Sequence, residues 1–171
     1  RSEELRLDAF VGSLAVGGPT RVPGVAVFLN GDLTGVPHAL LHNMMHNKVL
    51  HDKVLVCCVQ IEDVPFVPET DRVEVKPLKE NFWTVLIRYG FKEEPNIPVA
   101  LSLCEAYGLP INMMETSFFL GRETLIPKLN SEMAFWREKL FVTMYKNADS
   151  ATNYFNIPTN RVVELGTQVV L

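Results

Sequence analysis

The chain has 171 residues, of which 47% are hydrophobic and 21% are charged, and its net charge at pH 7 is −4. This length and composition are those of one globular domain, and they exclude a wholly disordered chain. The negative charge excludes a broad electrostatic surface for nucleic acid or anionic lipid, but it leaves room for a local basic pocket that binds a small phosphate ligand.

The first twenty residues are predicted to form an amphipathic helix and a linker. Ser2 is a suitable helix cap, and Gly17-Gly18-Pro19 ends the helical pattern. We therefore expect residues 1–20 to be a connection from a preceding membrane part and residues 21–171 to be a single α/β domain. No signal peptide opens the sequence, and no apolar run reaches the roughly 18–20 residues that span a bilayer. Because the first residue is Arg1, we expect the chain to be a piece of a longer protein.

A βαβ unit follows the linker. Gly24–Asn30 and Lys53–Ile61 are short apolar runs, which are typical of strands buried on both faces of a parallel sheet. Between them, Pro37 suits the first turn of a helix that runs to about Lys48. The crossover between the two strands should be right-handed.

The remaining elements continue the alternation of strands and helices. The predicted elements are a hairpin of Arg72–Lys76 and Phe82–Tyr89, a helix from Asn96 to Tyr107, a strand over Met114–Leu120, a helix from Ser131, a short helical turn near Asp149, and a final strand over Arg161–Leu171 with a bulge at Gly166. The predicted fold is a three-layer α/β domain with a mostly parallel sheet and an inserted β-hairpin.

The three cysteines are predicted to be reduced and buried. Cys57 and Cys58 are neighbours in an apolar strand, so their side chains should point to opposite faces, and a disulfide between them would be strained. Cys104 also lies in an apolar context. Buried thiols of this kind indicate a reducing compartment, which here means the cytosol.

Three histidines recur at every fourth position of the predicted helix. His38, His42 and His46 therefore share one helix face, and two imidazoles at this spacing are able to chelate zinc. The position after His42 is Asn43, however, so the glutamate of a zinc hydrolase is missing. We predict a polar face that meets solvent, a ligand or a partner, with no metal site; a zinc-dependent hydrolase is the alternative.

Motifs of catalysis and of phosphate binding are not found in the sequence. It contains neither a Gly-x-x-x-x-Gly-Lys-Ser loop nor a Gly-x-Ser-x-Gly elbow. The acidic pairs Glu62-Asp63 and Glu93-Glu94 fit a solvated surface. We predict no catalytic residue, no enzymatic activity and no resident cofactor.

Polar residues near the ends of the predicted strands are candidates for a ligand site. In open α/β sheets, ligands bind beyond the carboxyl ends of the strands, near the point where strand order reverses. Arginines beside aromatic and amide groups are able to hold a nucleotide. The alternative is that these residues tie loops to the sheet. They are Asn30, Glu62-Asp63, Arg88-Tyr89, Gly121-Arg122 and Asn160-Arg161.

Five separated segments carry a family resemblance. They occur in order from about residue 21 to the end and are Val36–His51, Glu62–Pro65, Arg88–Phe91, Thr116–Thr124 and Asn160–Gln168. Together they resemble the C-terminal region of bacterial Kup-type potassium uptake transporters of the KUP/HAK/KT family. The resemblance implies a multi-spanning potassium:proton symporter, whose transmembrane domain would be the partner of this domain at the cytoplasmic face of the inner membrane.

The resemblance also implies a regulatory or assembly role. A related transporter type has a cytosolic domain similar to universal stress proteins, which dimerises and can bind cyclic di-AMP. By this analogy we expect a homodimer, with the last strand pairing or packing across a two-fold axis through Val162, Val163, Val169 and Val170. The sequence lacks the Gly-x-x-Gly phosphate signature of ATP-binding stress proteins, which argues against ATP.

A regulatory nucleotide such as cyclic di-AMP would have a defined set of candidate ligand residues. These are Asn43, Asn47, His51, Arg88, Tyr89, Arg122 and Arg161. The alternative function from a different class is a free-standing nucleotide-binding α/β protein of the stress-protein type.

Overall fold

The computed structural model describes residues 5–14, 18–121, 128–129 and 155–165. The helices within these ranges are α1 (Leu7–Ser13), α2 (His38–Asn47) and α3 (Ile97–Ser102). The strands are β1 (Thr20–Leu29), β2 (Val49–Glu62), β3 (Val73–Pro77), β4 (Phe82–Gly90), β5 (Thr116–Gly121), β6 (Lys128–Leu129) and β7 (Val162–Leu165).

All of these strands belong to one sheet in the order β3-β4-β2-β1-β5-β7, and β6 pairs with the end of β2. Strands β4, β2, β1, β5 and β7 are mutually parallel, while β3 is antiparallel to β4. The chain winds outward from β1 in both directions, so strand order reverses between β1 and β5, as in doubly wound sheets. The predicted α/β class, the mostly parallel sheet and the inserted hairpin are confirmed.

Apolar side chains cover both faces of the sheet and create two core layers. One layer packs the sheet against α3 and the 3-10 segment after it, through Val27, Leu55, Val85, Ile87, Phe118, Ile97, Leu101 and Leu109, among others. The other packs the sheet against α1 and α2, through Ala26, Phe28, Val54, Val56, Phe82, Leu7, Phe10, Val11 and Leu40, among others. Central strands therefore consist of consecutive apolar residues, because both of their faces are buried.

The ends of α2 and α3 follow from their terminal residues. Helix α2 begins after Pro37 and ends where Lys48 takes a left-handed conformation with a φ of 55°. Asn96 caps α3, because its side chain accepts a hydrogen bond of 3.1 Å from the amide of Val99. The predicted helix to Tyr107 is an α-helix only to Ser102 and continues as a 3-10 segment. The tighter winding ends before Gly108, which has a φ of 84°.

Strands β1 and β2 begin earlier than predicted. Residues 20–22 pair with residues 49–51, and the register then shifts at an irregularity between Val22 and Val25. The shift contains Gly24, whose φ is 108°, and a Cβ at this position would lie only 2.8 Å from the carbonyl oxygen of Glu115. This extension was missed because the polar residues at the start of β2 do not follow a strand pattern.

Helix α1 packs on the sheet beside α2. Its Leu7, Phe10 and Val11 are buried in the second core layer. An antiparallel bridge joins Arg6 to Gly35, and the amide of Leu7 donates to the carbonyl of Thr34 at 2.8 Å. Residues 7–13 thus contribute to the core of the domain, while the boundary after residue 20 stays a prediction.

Several sequence-based predictions lie outside the described residues. These are the helix cap at Ser2, the helix from Ser131, the turn near Asp149, the bulge at Gly166 and the side chains of Val169 and Val170. In the part of the chain that the structure describes, none of the helices has both the length and the apolar character required to cross a bilayer.

The three cysteines have the predicted arrangement. Cys57 belongs to the core layer on the α3 side, and its neighbour Cys58 points the other way, with its Sγ 3.4 Å from the carbonyl oxygen of Gly31. All three are buried thiols. Burial raises the pKa of Cys104 to about 11 and raises that of Cys57 well above its ordinary value.

Candidate functional site

The carboxyl end of the sheet is where the doubly wound fold predicts a ligand site. Strand β1 ends here in a turn held by its own side chains. Asn30 Nδ2 donates to the carbonyl of Asp32 at 3.0 Å, and Asp32 Oδ1 accepts from the amides of Thr34 and Gly35 at 2.8 Å each. These side chains are therefore engaged in shaping the turn between β1 and α2.

Arg88 lies at the same end, between two carboxylates. Its guanidinium donates to Glu74 Oε2 at 2.6 Å, and its Nε is 3.6 Å from Glu62 Oε1. Gln60 Nε2 also donates to Glu62 Oε1, at 2.6 Å. These side chains share one face of the sheet because β2, β3 and β4 place them in matching register. An anionic ligand at Arg88 would have to compete with carboxylates for the guanidinium.

Tyr89 points to the other face of the sheet. Its hydroxyl donates to the carbonyl of Asn96 and accepts from the amide of Asn96, both at 2.9 Å. The guanidinium of Arg72 lies over its ring, 4.4 Å from the centroid. Burial raises the pKa of the Tyr89 hydroxyl, although the Asn96 and Arg72 contacts oppose this shift. Tyr89 thereby fixes the start of α3 against β4.

Arg72 and Glu93 form a nearly buried ion pair that sequence reasoning missed. Their side chains are only 11% and 15% exposed. Glu93 Oε1 also accepts from the amides of Val67 at 2.6 Å and Gly90 at 2.9 Å, and Arg72 donates to the carbonyl of Arg88 at 2.7 Å. Burial alone would raise the pKa of Glu93, but the bonds from Arg72 and from the two amides outweigh it, so the pKa is lowered.

The ion pairs of Glu93 and Glu62 correct two predictions. The assignment of Glu93 to a solvated surface is wrong, because its carboxylate faces Arg72 inside the loops. The same assignment is wrong for Glu62, which is partly buried beside Arg88. A signal in the sequence was the position of Arg72 directly before the alternating strand Val73–Pro77, because an arginine that becomes nearly buried at the start of a strand needs an acidic partner.

Gly90 allows the loop after β2 to close over the end of β4. A Cβ at this position would lie 2.2 Å from the carbonyl oxygen of Pro65, so only glycine fits. The amides of Phe91 and Lys92 then donate to the carbonyls of Val64 and Pro65 at 2.9 and 3.0 Å. The loop over residues 63–68 is thus bonded to the segment that follows β4.

His51 lies at the opposite, amino end of the sheet. It is partly buried, and its ring makes an edge contact with Phe119 at a centroid distance of 5.9 Å. Burial lowers the pKa of His51, and the neighbouring carboxylate of Asp52 opposes this shift. Among the described residues, its buried Nδ1 has no hydrogen-bond partner.

The other candidates that the structure describes also lie toward the amino end. Asn43 is buried near the end of α2, and its Oδ1 accepts from Asn47 Nδ2 at 2.7 Å. Arg161 precedes β7, and its guanidinium donates to the carbonyl of Met114. Arg122 lies outside the described residues.

The predicted ligand residues therefore do not surround one pocket. His51 pairs with β1 at one end of β2, whereas Arg88 pairs with Gln60 at the other end. The stretch of β2 from His51 to Gln60 separates these positions by roughly 30 Å along the strand. Arg88 and Tyr89 share the carboxyl end but point to opposite faces. The ligand-binding role of the set stays a prediction.

A cavity of about 370 Å³ lies at the amino end, lined by Arg21, Asp52, Glu80 and Asn81. The Arg21 guanidinium donates to the carbonyls of His51 and Glu80 at 2.9 and 2.8 Å. It also lies 5.8 Å from the ring centre of Phe82. Its donors are thus directed at the backbone of β2 and of the hairpin turn.

The histidines of α2 face outward. His38, His42 and His46 are exposed, and the rings of His42 and His46 are 4.2 Å apart at their centroids. No group of three or more potential metal-ligating side chains comes together within the described ranges.

The comparisons with known proteins assign the family. Residues 23–171 match the family model described as the K+ potassium transporter C-terminal domain. The chain belongs to this family. The predicted resemblance to the Kup type is confirmed, because the chain is 66% identical over 171 residues to "Probable potassium transport system protein Kup 1" of Dechloromonas aromatica, with 100% of the chain and 27% of that relative covered.

Other relatives of this potassium transporter family agree. The chain is 56% identical over 171 residues to the "Probable potassium transport system protein Kup" of Azoarcus sp., covering 100% of the chain and 27% of the relative. For the protein of the same name from Myxococcus xanthus, the identity is 53% over 171 residues, with 100% and 26% covered. The chain spans about a quarter of the length of the curated relatives it matches. No solved structure matches it.

Proposed function

We propose that this chain is the cytosolic C-terminal domain of a Kup-type potassium:proton symporter, where it regulates or assembles the transporter. The observation that carries the proposal is the match of 66% identity along the entire chain to a protein named as a potassium transport system protein. The family description, which names a C-terminal domain of a potassium transporter, supports the same assignment. The partner of this domain would be the membrane-spanning part of the longer protein.

The position on the cytoplasmic face is supported by the chemistry of the thiols. Cys57, Cys58 and Cys104 are buried thiols, which suit a reducing compartment. Charges at the carboxyl end of the sheet are engaged with other protein groups, as at Arg88 and Arg72. Such an arrangement suits a domain that binds another protein segment better than it suits a catalytic domain.

Potassium uptake by the intact protein tests the transport assignment. The full-length gene would be expressed in bacteria that lack their own potassium uptake systems, and growth and rubidium uptake would be measured at low potassium. We expect growth to be restored. A full-length protein that reaches the membrane and gives no uptake would overturn the assignment.

Removing the residues of this chain from the full-length protein separates the two roles. If the domain assembles the transporter, the truncated protein should be lost from the membrane fraction. If it regulates, the truncated protein should remain there with an altered rate of uptake. Unchanged abundance together with an unchanged rate would contradict both roles.

A regulatory ligand is proposed to be a small nucleotide such as cyclic di-AMP. Arg88 is the best-placed candidate, because it lies at the carboxyl end of a doubly wound sheet. Isothermal titration with cyclic di-AMP, ATP and AMP would measure the affinities. Arg88→Ala and Arg161→Ala change opposite ends of the sheet, so only the variant at the true site should lose binding. Unchanged affinity in both variants would exclude these two arginines, and no binding of any nucleotide would favour an assembly role.

A homodimer is proposed to form through β7. Its Val163 is exposed, and the strand pairs with β5 on one side. A strand at the edge of a sheet presents backbone N–H and C=O groups that can pair with the same strand of a second copy across a two-fold axis. Light scattering on the purified chain should give twice the monomer mass, and Val163→Lys should give the monomer mass. A wild-type chain that is monomeric at micromolar concentrations would contradict the proposal.

A further inference from the structure

Two apolar side chains project into solvent from the loop over residues 63–68. Val64 is 45% exposed and Phe66 is 66% exposed. An exposed phenylalanine lacks the stabilisation that its burial would contribute. A loop that keeps such a side chain outside the core is therefore a candidate contact surface.

The loop is held in this conformation by the network at the end of β4. The amide of Val67 donates to Glu93, and the carbonyls of Val64 and Pro65 accept from the amides of Phe91 and Lys92. Because these bonds fix the backbone on both sides of Phe66, the ring is presented at a defined place. A preorganised side chain of this kind binds a partner with little loss of conformational entropy.

The loop lies well beyond the end of β1 along the strand direction. Strand β1 ends opposite Cys57, and β2 continues for five more residues to Glu62. These residues carry the loop about 16 Å beyond the end of β1. A surface that approaches this end of the sheet would therefore meet the loop before it reached the end of β1.

The polypeptide that precedes this domain arrives at the same end. The amide of Val36 donates to the carbonyl of Leu5, and Arg6 pairs with Gly35, so the segment before α1 lies beside the turn that follows β1. The family is a C-terminal domain, and the relatives are about four times as long as this chain. In a longer protein of this family, a preceding membrane-spanning part would therefore join the domain near the carboxyl end of the sheet.

Among the described residues near the loop, the exposed carboxylates outnumber the exposed cations. Asp63, Glu69, Asp71 and Glu94 are exposed carboxylates, and Lys92 is an exposed cation beside them. This surface would be repelled by the anionic lipids of a cytoplasmic leaflet. It would attract the cytoplasmic loops of a membrane protein, which carry an excess of lysine and arginine.

We propose that the loop over residues 63–68 is the docking surface for a basic cytoplasmic loop of the membrane-spanning part of the same protein. Phe66 enters an apolar site on that loop, and the carboxylates around it pair with lysines or arginines. The inference rests on the proposed function, since it requires the longer transporter. It adds which end of this domain faces the membrane part and which side chain makes the contact.

Site-specific photo-crosslinking in the full-length protein tests the proposal. A benzophenone amino acid would replace Phe66 in one variant and Met114 in another, and both would be irradiated in native membranes. Met114 is the matched control because it is 74% exposed and precedes β5, at the amino end of the sheet. Mass spectrometry would identify the crosslinked peptides.

We expect position 66, and not position 114, to crosslink to a cytoplasmic loop peptide of the membrane-spanning part. Adding Asp63→Lys and Glu69→Lys should lower the yield about fivefold or more. Crosslinks from position 66 to lipid or to a second copy of this domain, or none at all, would overturn the proposal. Rubidium uptake by the unmodified protein tests the transporter assignment separately, so the two failures are distinguishable.

Discussion

Polar side chains that are removed from solvent have different partners at the two ends of β2. At the carboxyl end, Arg72 is paired with a carboxylate, and Glu93 has both a cation and two backbone amides. At the amino end, the Arg21 guanidinium donates to backbone carbonyls, and among the described residues the buried Nδ1 of His51 has no partner. The carboxyl end is therefore stabilised by an ion pair between side chains, and the amino end by hydrogen bonds from a side chain to backbone carbonyls.

This difference predicts which end tolerates amino-acid substitutions better. A buried charge that loses its partner destabilises a protein strongly, because it remains desolvated. A guanidinium bonded to carbonyls is replaced more easily, since those carbonyls can bind water at the surface. Mutations at the carboxyl end should therefore have the larger effects on folding.

The largest effect is expected from Glu93→Ala. It leaves Arg72 nearly buried without its carboxylate and removes the acceptor of the Val67 and Gly90 amides. We expect a loss of about 3–5 kcal/mol in the free energy of unfolding, measured by urea denaturation. Glu74→Ala is the control, because it removes an exposed partner of Arg88 and should cost less than about 1 kcal/mol. Equal losses in the two variants would remove the proposed distinction between these charges.

Gly90→Ala should have the next largest effect. The added Cβ would lie 2.2 Å from a backbone oxygen of Pro65, so the loop must move away from the end of β4. We expect a loss of about 1–3 kcal/mol in the free energy of unfolding. Gly12→Ala in α1 is the control, because a Cβ there meets nothing within 4 Å. This variant should raise the free energy of unfolding by at most about 1 kcal/mol, since alanine favours a helix more than glycine does. A neutral Gly90→Ala variant would show that the loop is free to shift.

Arg88→Ala tests whether every charge at the carboxyl end matters equally. Arg88 is partly exposed between its two carboxylates, so its ion pairs are screened by water. We expect a loss of no more than about 1 kcal/mol in the free energy of unfolding. A loss as large as that of Glu93→Ala would show that the number of paired carboxylates, and not burial, determines how much an ion pair at this end contributes to the free energy of unfolding.

The smallest effect is a dependence of stability on pH at the amino end. The pKa of His51 is lowered in the folded state, so the unfolded chain binds the proton more readily below the ordinary value of 6.5. Stability should fall as the pH drops from that value through the lower folded pKa. The lowered pKa of Glu93 acts in a separate window, below the ordinary value of 4.5. Urea midpoints across this range should be flatter for His51→Gln, and an unchanged slope between about pH 5 and 7 would contradict the assignment.

The sequence predicted the strands whose two faces are apolar. The run from Val54 to Val59 is continuous and lies at the centre of the sheet, so its pattern is sufficient. The start of β2, residues 49–52, was missed because His51 and Asp52 are polar, and the pairing of residues 49–51 with β1 extends the strand over them. Pairing is a tertiary effect that a local pattern does not contain.

The positions of the candidate ligand residues were harder to predict than the fold. The sequence identified arginines near strand ends, but it did not show that Arg88 and Arg161 lie at opposite ends of the sheet. The Arg72–Glu93 pair was missed because 21 residues separate its members, and only the register of β3 and β4 brings them together. Charge partners that are distant in sequence are invisible to reasoning from local pattern.

The burial of every thiol makes this chain a convenient background for chemical labelling. Maleimides and iodoacetamide react with an accessible thiolate, whereas Cys57, Cys58 and Cys104 are buried, and the pKa values of Cys57 and Cys104 are raised. In the native protein these sulfurs should be modified only when the sheet opens. The rate of their modification therefore reports how often the core is exposed by local or global unfolding. A fluorophore or spin label attached to a new surface cysteine would then occupy a single known position without removal of any natural residue.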